Sequence, residues 1–177
     1  LGIDEFRRQV EAEWEQIKDS DLLLCDADFE RMQSYFSSPD YVQSTGETAR
    51  VEKWRSLDTR FAQWYDNNTV EHKVGGYRIV VVSLKAPGAP PGDATADQMD
   101  HMADLAERYS FGELRVTHDQ NIIFADVEEA DLLELWKELD AQALATPNIG
   151  TLNDMICCPG LDFCSLANAG SIPIAKQ

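Results

Sequence analysis

The strongest constraint on the fold is a run of β-branched residues near the middle of the chain. The segment Tyr77–Leu84, YRIVVVSL, follows Gly75 and Gly76 and is followed by Pro87 and Gly88. Val and Ile favour extended backbone, and an apolar run of this length between Gly and Pro residues is typical of a strand. We therefore predict a central β-strand here, with a change of hydrophobic period near Gly75.

The sequence after this run alternates between helix and strand patterns. Thr95 and Gln98 have the spacing of a capping box, which predicts the start of a helix. Leu114–Thr117 and Ile122–Val127 are two short strand-like pieces joined by the polar residues HDQN, which is typical of a hairpin or a bent strand. A further helix is predicted over residues 128–142, because acidic residues in its first turn suit the helix dipole.

The order strand, helix, strand, strand, helix predicts an α+β domain of ferredoxin-like type over residues 71–146. Residues 1–70 are predicted to form a supporting helical segment that packs on this domain. Helices are predicted at residues 3–18 and 26–36, where apolar residues recur at spacings of three and four. Residues 50–68 carry mixed patterns, and we predict a loop-rich segment anchored by its aromatic rings.

Charge and hydropathy exclude some classes of partner. With 32 acidic and 15 basic side chains the net charge is −17, which opposes broad contact with nucleic acid or anionic lipid. No apolar run approaches the roughly 20 residues that a membrane span needs, and the acidic start differs from a secretory signal. We expect a cytoplasmic protein with neither a nucleic acid nor a membrane partner. Since the first residue is Leu, we also expect a piece of a longer chain.

The segment CCPGLDFC, residues 157–164, holds three of the four cysteines. Without a secretory signal these cysteines do not indicate a disulfide framework. Cys158 and Cys164 are separated by five residues that include Pro and Gly, so the chain can bend to bring both thiolates to one point. Iron–sulfur clusters and zinc both need such convergence. Buried or incidental thiols are equally consistent with this spacing.

The polar residues around the predicted hairpin form a second candidate site. Arg offers a forked donor for carboxylates, and Gln and Asn add neutral donors. The alternative is an ordinary polar hairpin loop. The candidate residues are Arg115, Thr117, His118, Gln120 and Asn121.

These two segments together resemble a known family. The stretches LRVTHDQNIIFADV and ATPNIGTLNDMICCPGLDFCSLANA are similar to the second half of the sirohaem-containing nitrite/sulfite reductases. The likeness runs from GGYRIVVVSLK to the end of the chain, and the N-terminal helical segment resembles the stretch that joins the two halves.

Members of this family hold a [4Fe-4S] cluster with four cysteines, arranged as C-x5-C and a later C-x3-C. Cys158 and Cys164 match the first pair, whereas Cys157 has no place in the ligand set and is assigned to packing. Residues 147–177 then correspond to the start of the sirohaem and cluster domain. No later C-x3-C follows in this sequence, so we expect both cofactors to be absent from the isolated chain. We also expect disorder or a displaced, non-native course after about Pro159.

The resemblance implies a ferredoxin-like half domain of an enzyme that reduces sulfite to sulfide, or nitrite to ammonia, with six electrons. It implies sirohaem contacts for Arg115, Thr117, His118, Gln120 and Asn121, and cluster ligation by Cys158 and Cys164. Arg115, Gln120 and Asn121 are then expected to face one concave surface.

The partners that the resemblance implies are the remaining parts of the same polypeptide and an electron donor such as ferredoxin or a flavoprotein. Two alternatives stay open: a small-molecule-binding regulatory module, and a structural zinc site in which a partner chain completes Cys157, Cys158 and Cys164.

Overall fold

The computed structural model describes residues 2–20, 22, 24–42 and 48–177. The chain divides into two compact units, Leu1–Asp40 and Tyr41–Gln177. None of the helices in the described ranges is both long enough and apolar enough to cross a membrane.

The first unit contains the two helices predicted for it, α1 (Ile3–Ile17) and α2 (Asp26–Ser34). No residue of either helix is buried, and the α1 side chains Phe6 and Trp14 are 55% and 50% exposed. The predicted packing of this segment on the following domain stays a prediction. Cys25 lies just before α2, where its thiol donates a 3.2 Å hydrogen bond to a carboxylate of that helix.

The second unit follows the predicted order of strands and helices after residue 76. Its elements are α3 (Thr48–Leu57), α4 (Thr59–Asn68), β1 (Thr69–Glu71), β2 (Tyr77–Ser83), α5 (Ala96–Tyr109), β3 (Leu114–Val116), β4 (Asn121–Glu128), α6 (Leu132–Ala141) and α7 (Ile172–Ala175), with 3₁₀ turns at Glu129–Asp131 and Gly160–Asp162. The capping box is present, since the Thr95 hydroxyl accepts a hydrogen bond from Gln98 N–H and the Gln98 side chain accepts one from Thr95 N–H.

The prediction of a loop-rich segment over residues 50–68 is wrong. Two helices occupy it, and the Asp58 carboxylate starts the second by accepting hydrogen bonds from the N–H groups of Arg60 and Phe61. Phe61 and Trp64 are fully buried, so these rings belong to the core of the domain. Burial against the sheet supplies the helix stability that the mixed local pattern does not suggest.

The four strands form one antiparallel sheet in the order β1-β2-β4-β3. One face of the sheet packs against α3 to α6 and forms the core. This arrangement confirms the predicted α+β, ferredoxin-like class. The sheet contributes Val80, Val82, Phe124 and Val127 to the core, and the helices contribute Val51, Phe61, Trp64, Met102, Leu105, Ala106, Leu132, Leu135, Trp136 and Leu139.

A β-bulge interrupts the pairing of the two central strands. Arg78 pairs with Val127 and Val80 pairs with Phe124, so two residues of β4, Ala125 and Asp126, lie opposite Ile79 alone. The extra residue lets Phe124 and Val127 both reach the core. Asp126 therefore points to the other face of the sheet.

Asp126 is the centre of a buried polar network on that face. Tyr41 donates its hydroxyl hydrogen to the Asp126 carboxylate at 2.7 Å, and His72 Nε2 lies 3.1 Å from the same oxygen. The other ring nitrogen, His72 Nδ1, lies 3.0 Å from the Val74 N–H group, so both nitrogens of the ring have polar neighbours. Burial, together with the neighbouring carboxylate, raises the pKa of Tyr41 to about 12. The network fixes the start of the second unit to its own sheet.

Candidate cofactor site at the hairpin and the cysteine loop

The predicted hairpin between β3 and β4 is present, and its side chains help to close it. Thr117 N–H donates to Asn121 O at 2.9 Å, and Asn121 N–H donates to Thr117 Oγ1 at 3.0 Å. Gln120 adopts a φ of 58°, a left-handed conformation that few residues other than Gly, Asn and Asp adopt. The turn therefore directs the Gln120 side chain away from the ladder of the sheet.

The Gln120 side chain pairs with the backbone of Cys157. Its Nε2 donates to Cys157 O at 2.8 Å, and Cys157 N–H donates to its Oε1 at 2.9 Å. The side-chain amide of Gln120 thus forms the same pair of hydrogen bonds that a neighbouring backbone forms in a β-sheet, although the two residues are 37 positions apart in sequence. We call this pairing the Gln120 clamp.

A buried ion pair lies beside the clamp. Lys85, whose side chain is 1% exposed, donates to Asp154 Oδ1 at 2.6 Å and also to the carbonyl oxygen of Asp119. Asn121 Nδ2 donates to the same Asp154 oxygen at 3.1 Å, and Gly150 N–H donates to the other at 2.9 Å. These bonds join the end of β2, the hairpin and the segment that leads to the cysteines.

The hydrogen bonds at Asp154 keep its carboxylate ionised. Burial alone raises the pKa of Asp154, but the bonds from Gly150 N–H, Lys85 and Asn121 outweigh burial and lower it below its ordinary value of 3.8. Sequence reasoning missed both Lys85 and Asp154. The available signal was a lysine placed directly after an apolar strand, where a lone charge needs a partner.

The cysteine loop, residues 157–164, is folded. Gly160 has a φ of 58°, and a Cβ at this position would lie 2.6 Å from the carbonyl oxygen of Ala169. Leu161 N–H donates to that same oxygen at 3.1 Å, and Cys164 N–H donates to Gly160 O at 2.9 Å. The loop therefore has a defined set of hydrogen bonds, and the expectation of disorder or a displaced course after about Pro159 stays a prediction.

The thiols of the cysteine loop are unpaired and differ in exposure. Cys158 is exposed and Cys164 is partly exposed, so both can serve as ligands from solvent. Cys157 is buried, and its thiol donates to Cys158 O at 3.3 Å, in agreement with its assignment to packing. Among the described residues no three His, Cys, Asp or Glu side chains are placed to hold a metal ion. A zinc site built on all three cysteines is not supported by this arrangement.

A pocket of about 610 Å³ lies between the hairpin and the cysteine loop. Thr117, Gln120 and Asn121 lie on its wall, but Asp93 is the one charged side chain there within the described ranges. A tetrapyrrole with many carboxylates needs cationic donors, so these lining residues do not fit direct sirohaem binding. The apolar part of the wall is formed by Leu84, Pro91, Met99, Met102, Val116, Ile122, Pro159, Phe163 and Ile172.

The expectation that Arg115, Gln120 and Asn121 share one concave surface stays a prediction. Adjacent residues of a strand face opposite sides, so Arg115, which pairs with Ile123, lies on the face opposite Val116, and Asn121, two residues before Ile123, lies on that same face as Arg115. Arg115 pairs with Glu113 at 2.5 Å. His118 is 91% exposed and lies 3.3 Å from the Asp119 carboxylate. Contacts of these residues with sirohaem stay a prediction.

Comparison with known proteins identifies the fold that carries this site. Residues 72–142 match the nitrite/sulfite reductase ferredoxin-like half domain. This chain contains that half domain.

The relatives of the chain include plant enzymes and an enzyme of Haloferax mediterranei, all of them much longer than it. It is 38% identical over 128 residues to an assimilatory ferredoxin-dependent nitrite reductase of Haloferax mediterranei, a match that covers 71% of this chain and 21% of the relative. It is also 38% identical over 79 residues to a chloroplastic ferredoxin–nitrite reductase of Arabidopsis thaliana, covering 44% of this chain and 14% of that protein. The chain therefore spans about a fifth or less of these relatives. No solved structure matches it.

Proposed function

We propose that this chain is part of a ferredoxin-dependent nitrite reductase, and that it supplies two thiolate ligands of a [4Fe-4S] cluster. The observation that carries the proposal is a C-x5-C loop fastened to the hairpin of a nitrite/sulfite reductase half domain. The relatives named above support nitrite over sulfite, and ferredoxin over a flavoprotein, as partners of the whole enzyme.

Cys158 and Cys164 are the residues proposed to hold the cluster. Both thiols are accessible, and Gly160 permits the tight bend between them. A [4Fe-4S] cluster takes four thiolates, so the other two come from another part of the full polypeptide. When held by these thiolates, the cluster would supply one-electron transfer chemistry to the reduction that the whole enzyme carries out.

The half domain acts in this proposal as a support for the cysteine loop. Its pocket has apolar walls and no described cationic side chain, so the groups that bind the sirohaem carboxylates and the substrate anion belong to other parts of the enzyme. The residues of this chain place the two thiolates. They also exclude water from the segment that precedes Cys158, where Cys157 is buried and Asp154 pairs with the buried Lys85.

The test is cysteine replacement in the full-length enzyme, purified without oxygen. Cys158→Ser and Cys164→Ser should each lower the iron and sulfide content and the visible absorbance of the cluster. Cys25→Ser is the matched control, because Cys25 is also exposed but lies in the other unit. Full iron content in both loop variants would refute the proposal.

The substrate is tested separately on the wild-type enzyme. Reduced ferredoxin with nitrite should yield ammonium at a higher kcat/KM than sulfite yields sulfide. A clear preference for sulfite would refute the assignment of nitrite but would leave the cluster ligands intact.

A further inference from the structure

We propose that Gln120 is a positioning residue for the thiolate of Cys158, and not a sirohaem contact. The proposal rests on the proposed function, because it takes Cys158 as a cluster ligand. It comes from the Gln120 clamp, in which one side chain holds both the N–H and the C=O of the residue before Cys158.

The clamp acts on Cys158 through the planarity of the peptide bond. The carbonyl group of Cys157 and the N and Cα atoms of Cys158 lie in one plane. When Gln120 Nε2 fixes the carbonyl oxygen at 2.8 Å, it also restricts the orientation of that plane and with it the position of the Cα of Cys158. The second bond, from Cys157 N–H, fixes the preceding peptide plane.

The surroundings of Gln120 indicate that this position is occupied by glutamine because of its side chain, and not because of its backbone conformation. A φ of 58° costs a non-glycine residue free energy, and Gly or Asn would adopt it more readily. Gly92 packs against the same side chain, since a Cβ built on Gly92 would lie 3.3 Å from Gln120 Cβ. The left-handed backbone of Gln120 and the close approach of Gly92 together orient the side-chain amide of Gln120 towards Cys157.

Two further contacts hold the same short segment. The Cys157 thiol donates to Cys158 O at 3.3 Å, and Asp154, three residues earlier, is held by Lys85 and Asn121. The thiol of Cys158 takes part in none of these contacts and stays free for a ligand role. The backbone before the thiolate is therefore preset while the thiolate is available.

The experiment uses the full-length enzyme with Gln120→Ala, Gln120→Glu and a control, Gln98→Ala. Gln98 is matched because its amide also donates to a backbone carbonyl far away in sequence, that of Gln142 at 2.9 Å. Loss of Gln98 therefore removes a comparable bond without touching the cysteine loop. Gln120→Glu keeps the acceptor for Cys157 N–H but loses the donor to Cys157 O while ionised.

The readouts are iron release to a chelator, the EPR spectrum and reduction potential of the cluster, and amide hydrogen exchange in the peptide around Cys157. Gln120→Ala should release iron about tenfold faster than wild type, since two hydrogen bonds are lost. Its EPR spectrum and potential should shift, and exchange at Cys157 should rise. Gln120→Glu should fall between wild type and Gln120→Ala, and Gln98→Ala should match wild type.

The outcomes separate this inference from the proposed function. If the wild-type enzyme contains no [4Fe-4S] cluster, the proposed function fails and the inference fails with it. If the wild type contains the cluster but both Gln120 variants retain iron, spectrum and potential like Gln98→Ala, only the positioning role is overturned. If Gln120→Ala gives no soluble enzyme, Gln120→Glu decides by the same comparison.

Discussion

The buried ion pair of Lys85 and Asp154 offers a test of how the cysteine segment is stabilised. The perturbation is Lys85→Met, which keeps an unbranched chain of similar length but removes the ammonium group. The Asp154 carboxylate, whose side chain is 13% exposed, would then lose its cation and keep only the bonds from Gly150 N–H and Asn121. The Asp119 carbonyl oxygen would lose its donor as well.

The expected loss follows from the geometry of the pair. At 2.6 Å and an effective dielectric of about 20, the attraction is roughly 6 kcal/mol before desolvation is subtracted. Removing one partner of a buried pair costs about 3–5 kcal/mol, because an uncompensated charge remains. This is a large part of the roughly 5–15 kcal/mol that stabilises a typical domain.

The assay is urea unfolding of the 177-residue chain at pH 7, with Lys137→Met as the matched control. Lys137 also forms a lysine–carboxylate pair, with Glu134 at 2.7 Å, but both side chains are more than half exposed. The control should therefore change the free energy of unfolding by no more than about 0.5 kcal/mol.

The effect of Lys85→Met should also depend on pH. The folded-state pKa of Asp154 lies below 3.8, so its stabilising contribution is present above that value and is lost as the pH falls through the lowered pKa. In the variant the carboxylate has no cation, and its protonation relieves the buried charge. The difference from wild type should shrink below about pH 4. Equal free energies for the two methionine variants at pH 7 would refute the reasoning.

Three further predictions address other parts of the chain. Tyr41→Phe should remove stability that wild type keeps below pH 10 and loses as the pH rises towards the Tyr41 pKa of about 12; alkaline unfolding curves measure this. Gly160→Ala should raise the alkylation rate of Cys158, because its Cβ would meet a backbone oxygen at 2.6 Å, whereas Gly170→Ala has open space. Added NaCl should raise the Tm, because it screens repulsion within a chain of net charge −17.

Each of these has an outcome that would contradict it. Parallel alkaline unfolding curves for Tyr41→Phe and wild type would mean that ionisation of the Tyr41 hydroxyl is not linked to the free energy of unfolding. Equal alkylation in the two glycine variants would mean that the close approach at Gly160 does not shape the loop. A Tm that falls or stays constant between low and high salt would mean that charge repulsion is not a major cost of folding.

The sheet and its two flanking helices were predictable because their hydrophobic periods are local. The β-branched run at Tyr77–Ser83 and the capping box at Thr95 carry their own patterns. The helices over residues 48–68 were not predictable in this way, since Phe61 and Trp64 are buried by contacts with distant elements. Burial in the folded domain overrode a weak local pattern.

The candidate site was predictable in composition but not in geometry. The sequence drew attention to Gln120 and Asn121 as amide donors, but their partners Cys157 and Asp154 lie 37 and 33 positions away. Arg115 lies in the same stretch of sequence, but its partner is the nearby Glu113 and not a residue of the cysteine segment. Side-chain types can be recognised along a sequence, whereas their partners depend on the register of the sheet.

The bulge at Ala125 and Asp126 also governs how this strand can be compared with others. On one side of it, even-numbered positions such as Phe124 face the helices; on the other side, odd-numbered positions such as Val127 do so. A relative with a strand of equal length but no bulge would be out of phase over one end of the strand, although its sequence could be aligned without a gap. Its counterpart of Asp126 would then lie in the hydrophobic core, where a carboxylate could not meet a tyrosine and a histidine.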